Sequence, residues 1–241
     1  MSFRKVGVGV GDDSGAMCIV TRAAWFFVLM PLTPLTLVAH AAGGHHEVDD
    51  ATVLDPGRCQ VEAWAIDGRQ PTPRGLHLGS ACRFGPIEWG LGLDGLRQGG
   101  AGANSAGPQL KWATELIPQR LAVGFATGTT WQLHGKALAV TTTYVPVTAW
   151  LGPGGSLQLH ANLGQDREAG VGVRRRWGVA MDWSVNDKLL LTAERRSQLA
   201  QALTRGGARW NLTPLSSLDL SVGRGSGATL IAIGFSQEWQ R

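Results

Sequence analysis

At 241 residues and a formal net charge of +4, the chain is long enough for one large domain, and its excess of base is too mild for a nucleic-acid-binding footprint. Charged residues make up 17%, against roughly 25% in an ordinary soluble domain, while Gly reaches 34 copies and Trp 10 beside a single Tyr. Such a composition argues against a soluble enzyme and suits a sheet that faces lipid.

The N-terminus reads as an export signal. Arg22 precedes an apolar run over 23–38, and Ala39-His40-Ala41 supplies the small-x-small cleavage site. Pro31 and Pro34 interrupt that run, which makes it a poor membrane-spanning helix. Residues 1–41 are therefore expected to be a signal peptide. Residues 1–16 read as an over-extended start, since Met17 opens a short basic lead-in of its own. No later stretch has 18 uncharged apolar residues.

Residues 42–58 are expected to form a periplasmic N-terminal segment. They hold a dense cluster of potential ligands: His45, His46, Glu47, Asp49 and Asp50. His45 and His46 are weak metal candidates. A Gly-Gly-His start that would chelate Cu(II) needs cleavage after Ala42, the less favourable site. Asp49 and Asp50 could instead cap a short plug-like or periplasmic segment.

From 59 to 241 alternation replaces helical periodicity. Ile87, Trp89, Leu91 and Leu93 share one parity and Glu88, Gly90, Gly92 and Asp94 the other, and the pattern recurs around Leu159, Val179, Leu220 and Ile233. Turn signals divide the region into twelve predicted strands at 59–66, 75–84, 87–96, 108–115, 120–128, 137–150, 156–163, 173–184, 188–196, 204–212, 217–224 and 229–239. Parity blurs near Tyr144, which predicts a bulge there. Short turns alternate with longer polar connections over 67–74, 97–107, 129–136, 165–172 and 197–203. An even number of strands near the 9–11 residues needed to span a bilayer predicts an all-β fold, a closed antiparallel up-and-down transmembrane β-barrel. Trp89, Trp112, Trp150, Trp183, Trp210 and Trp239 fall near the short-turn end, as an interfacial ring would. Gly90 to Gly95 spells G-x-G-x-x-G, but inside an alternating strand it cannot open a helix onto a pyrophosphate.

The run Gly44-His45-His46-x-Val48-Asp49-Asp50-Ala51, the stretch Leu54-Asp55-Pro56-Gly57-Arg58-Cys59-Gln60-Val61-Glu62 and the later Gly107-Pro108-Gln109-Leu110-Lys111-Trp112 resemble uncharacterised proteobacterial outer-membrane proteins described as transporter-like. They are similar to the phenol-degradation-pathway outer-membrane family. The resemblance covers about residues 43–241 and implies an outer-membrane location. The ending departs from it, because Gln240-Arg241 follow Trp239.

A hairpin folded about Gln70-Pro71 sets Cys59 opposite Cys82 at the periplasmic end, where a structural disulfide would contribute roughly 3 kcal/mol. Residues on the polar parity, and so candidates to face the lumen, are Glu62, Glu88, Asp94, Lys111, His160, Arg176, Asp182, Glu194, Arg196, Arg209 and Asp219. Acids outnumber bases nine to six over 42–119, and bases outnumber acids thirteen to seven over 120–241, so the lumen is expected to carry a transverse field. Arg174, Arg175 and Arg176 form a run suited to lipopolysaccharide phosphates. The expected partners are outer-membrane lipid, lipopolysaccharide, the outer-membrane assembly machinery and a small-molecule solute, with no cofactor and no nucleic acid. A passive channel is the leading reading, and a filled structural or adhesion barrel the alternative. A hydrolase pairing Asp94 or Asp166 with His134 or His160 is the third, and no catalytic residues are assigned.

Overall fold

The computed structural model describes residues 46–68, 74–98, 101–134, 139–225 and 227–241. The expected signal peptide, His45 and Gln70-Pro71 lie outside the described residues. The described residues hold twelve antiparallel strands: β1 (Arg58–Gly68), β2 (Arg74–Phe84), β3 (Ile87–Gln98), β4 (Ala101–Ile117), β5 (Leu121–Gln132), β6 (Ala139–Leu151), β7 (Leu157–Glu168), β8 (Gly172–Asn186), β9 (Leu189–Gln198), β10 (Gln201–Thr213), β11 (Ser216–Gly225) and β12 (Ala228–Gln240). Each pairs with its chain neighbours, and β1 also pairs with β12, from Arg58 opposite Gln240 to Gly68 opposite Leu230, which closes the sheet. Closure leaves no strand edge, the condition for a sheet to sit in lipid.

The distribution of side chains is the reverse of a soluble protein's. Leu163 is 68% exposed and Val173 59%, whereas Asp166, Asp219 and Thr148 are 0% exposed. Along β8 the outward series is Val173, Trp177, Val179, Met181 and Trp183, with Arg176 and Gly178 buried between them. An apolar surface this continuous marks contact with lipid.

Three details differ from the sequence reading. Connections expected to be long are short because the ladder continues through weak strand formers. Residues 101–106 pair with β3 although they are small and polar, so β4 starts at Ala101. The β9–β10 connection is only Leu199 and Ala200, both at left-handed φ (49° and 65°), as a two-residue type I′ hairpin requires. Neither is Gly or Asn. Tertiary contacts hold the turn instead: Asp166 accepts the Leu199 N–H (3.1 Å) and Arg174 donates to its carbonyl (3.1 Å). Finally, the bulge expected near Tyr144 is absent, and β6–β7 keeps one register from Val140 to Leu151. Parity looked blurred there because Tyr144 and the buried Pro146 are large, weakly polar residues on the inner face.

The Cys59–Cys82 disulfide joins β1 to β2 at register partners, with Cα atoms 4.0 Å apart. Where β7 crosses β6 at Tyr144, a Cβ on Gly164 would lie 2.1 Å from the Thr143 carbonyl oxygen and 2.5 Å from Tyr144 Cβ. Gly164→Val should therefore abolish the compact, heat-modifiable band on unboiled gels. Leu163→Val, on the exposed face next door, should leave that band unchanged.

Candidate functional site

The segment before β1 turns into the barrel. It was expected to be periplasmic, with a short plug-like segment capped by Asp49 and Asp50 as the alternative; residues 46–54 run inside the wall from near the start of β1 to the level of Glu194, midway along β9. This strap is accepted because the wall satisfies its backbone. The Leu54 N–H donates to Glu88 (2.9 Å), Ala51 to Thr148 Oγ1 (2.7 Å) and Asp49 to Asn162 Oδ1 (2.8 Å). Glu47 and Val48 both donate to Glu194 Oε2, at 3.0 and 3.2 Å. Three carbonyls are also met: Asp49 by Asn162 (2.8 Å), Leu54 by Arg83 (2.8 Å) and Glu47 by Arg176 (3.4 Å). A buried backbone without such partners would cost far more than the packing of Val48, Ala51 and Leu54 returns.

The strap's acids meet bases of the wall. Lys111 Nζ lies 3.0 Å from Asp50 and 3.5 Å from Asp49, and the Tyr144 hydroxyl donates to Asp49 at 2.5 Å. Arg196 bonds the Glu47 carboxylate, and Arg205 approaches the same oxygen at 3.4 Å. Burial alone would raise the pKa of Glu47 and Asp50. Arg196 and Arg205 overcome it for Glu47, and Lys111 does so for Asp50, so both carboxyls are held below their ordinary values.

A second cluster stands on β1–β3. His77 Nδ1 is 2.7 Å from Asp94 and its Nε2 is 3.6 Å from Glu62, while its ring stacks on Trp64 at 4.7 Å. A third is the Arg209–Asp219 pair on β10 and β11, at 2.7 Å. Between strap and wall lies a cavity of about 950 Å³, lined among others by Glu62, Trp64, His77, Asp94, Lys111 and Tyr144 and by Arg176, Arg196 and Arg205.

The hydrolase reading finds an arrangement of the right residue types in the wrong state. His160 Nδ1 is 2.9 Å from Thr148 Oγ1, and its Nε2 is 3.6 Å from Asp182. Yet Thr148 is fully buried and its oxygen accepts the Ala51 N–H, so it anchors the strap. Asp166, expected in an outer loop, is buried on β7, bonded by Thr142 and 3.7 Å from Arg176. His46 Nδ1 lies 3.9 Å from Glu194, and no group of three potential ligands among the described residues could hold a metal. The run at 174–176 is split by alternation: Arg175 is exposed and Arg176 buried. Trp89, Trp112, Trp183, Trp210 and Trp239 are exposed towards the end of the barrel where β1 begins and β12 finishes, and Trp150, partly exposed, lies at the same end. Trp131 and Trp177 are exposed on the outer halves of β5 and β8.

Sequence reasoning passed over Trp64, His77, Tyr144 and Arg205. His77 shares parity with Gly79 between Leu76 and Leu78, and Arg205 shares parity with Arg209, so both were readable. The strap's acids stood out as a dense cluster that could cap a plug-like segment and as an acidic run paired with a later excess of base, but neither signal named their partners.

The family described as "Uncharacterised conserved protein UCP029691" matches residues 32–236. The chain belongs to that family. Its description names no pathway. No curated protein matches the chain. Among solved structures, the chain is similar to the COG4313 outer membrane channel from Pseudomonas putida F1, with a TM-score of 0.64 at 8% identity over 81% of this chain and 100% of that one. It is also similar to a KdgM porin in complex with disordered oligogalacturonate, with a TM-score of 0.58 at 10% identity over 75% and 98% of the two chains. The NanC porin gives 0.56 at 11% identity, over 73% and 98%. At such identities these likenesses establish the fold alone, a closed antiparallel β-barrel.

Because Glu47 and Asp50 titrate below the ordinary carboxylate range, their hold on the strap is complete above that range and is lost as pH falls through the depressed values. Limited proteolysis of folded protein should leave residues 46–54 protected at pH 7 and pH 5, and cleavable only below about pH 4. Release between pH 7 and 5 would assign the hold to another group.

Proposed function

We propose that the chain is an outer-membrane channel that passes a small solute through a lumen narrowed by its own strap. The observation that carries this reading is the cavity of about 950 Å³ inside a closed barrel, apolar towards lipid and lined within by charges of both signs. The likeness to porin and channel barrels supports it. Purified protein in planar bilayers should show discrete conductance steps, whereas a folded barrel that never conducts would sink the reading. The alternative, a filled structural or adhesion barrel, draws on the strap and the buried Arg209–Asp219 pair. A β9–β10 connection of two residues offers little for an adhesive loop.

The same reading makes residues 1–41 the export signal and the outer membrane the location, reached through the assembly machinery. Lipopolysaccharide is the proposed lipid partner, and its site shifts from the run at 174–176 to the outward bases. Arg195 and Arg224 are both exposed and both pair with Thr204, which sets them about two strand spacings, or ~10 Å, apart. Replacing both with Gln should lower the lipopolysaccharide that copurifies with the barrel by at least half. In the same preparation, the intact mass should correspond to a chain starting at Ala42.

A further inference from the structure

We infer that the cationic wall of Lys111, Arg176, Arg196 and Arg205 is a binding site for carboxylate-bearing solutes, which the strap fills as a tethered surrogate. The strap shows what the wall takes. Three carboxylates within four residues, Glu47, Asp49 and Asp50, each sit against a cation of the wall: Arg196 and Arg205 for the first, Lys111 at 3.5 and 3.0 Å for the other two. Tyr144 adds a hydroxyl donor to Asp49 at 2.5 Å. Arg176 lies over the Tyr144 ring at 4.8 Å and donates to the strap's backbone at 3.4 Å. Among the described residues the buried Nε of Arg196 has no hydrogen-bond partner.

The same four cations line the cavity, so a solute within it reaches them without crossing the strap. Arg176 keeps Asp166 at 3.7 Å and Arg205 keeps Glu194 at 3.6 Å when the strap leaves, but Lys111 and Arg196 lose the carboxylates they sit against, and buried bases stripped of such partners carry a large desolvation cost. Strap withdrawal is therefore costly in water alone. It becomes nearly an exchange when an incoming carboxylate makes the charge-assisted bonds that the strap gives up. A neutral solute offers no such replacement. Across the cavity, Glu62 and Asp94 flank His77 and turn a carboxylate towards the arginines. The inference rests on the channel reading only for the route by which the solute arrives.

Calorimetry of the folded mature protein in detergent, with citrate as the probe, tests it. The variant Glu47→Gln/Asp49→Asn/Asp50→Asn should bind citrate at least tenfold more tightly than the native protein. Ala51→Pro keeps every carboxylate but removes the N–H that Thr148 accepts, and lies outside the strands, so it should also tighten binding even if the triple variant misassembles. Adding Arg196→Gln and Arg205→Gln to either variant should abolish binding. Equal citrate affinity in native and loosened proteins, or binding that survives loss of both arginines, would overturn the site. Bilayer conductance separates the two readings: conductance without citrate binding removes the site and leaves the channel, and citrate binding to a silent barrel removes the channel and leaves the site.

Discussion

Pairing of β1 with β12 along its whole length is the constraint from which the other features follow. In hydrocarbon an unpaired N–H or C=O has no water to turn to, so a sheet survives there only when its first and last strands satisfy each other. Closure then divides the side chains by parity alone. One set must be apolar because it meets lipid. The other is enclosed in a narrow cylinder, where polar groups are out of bulk water and have to satisfy one another.

That second requirement explains the strap. A twelve-stranded barrel is wider than an eight-stranded one that side chains can fill, and narrower than open porins of 16 strands. On the inner face Arg176, Arg205 and Arg209 have wall acids beside them in Asp166, Glu194 and Asp219, while Lys111 and Arg196 find their carboxylates on the strap. Residues 46–54 bring in carboxylates for Lys111, Arg196 and Arg205, and N–H groups for Glu88 and Glu194. The segment is held by polar bonds far more than by apolar burial, which suits a contact that another polar molecule can replace.

Much of this was legible. Alternation, turn spacing and the placement of Trp residues lead to twelve strands and a closed sheet, and hairpin arithmetic sets Cys59 opposite Cys82. The polar parity names Glu88, Lys111, His160 and Arg176 as residues of one face. It does not say that Glu88 serves Leu54 or that Thr148, silent in any motif search, holds Ala51. Strand ends were misjudged where residues are small, as at 101–106, because ladder pairing overrides weak propensity. The Leu199-Ala200 turn carries no turn signature at all, since Asp166 and Arg174 hold it from neighbouring strands.

The chain's own order of residues determined the period-two pattern, the number of strands and which parity meets lipid, because these depend on neighbours along one strand. Only the tertiary structure decided where the acidic run before β1 goes and which cation each carboxylate meets. Those pairings join residues as far apart as Glu47 and Arg205. They exist only after the cylinder has closed and left a polar interior to be filled.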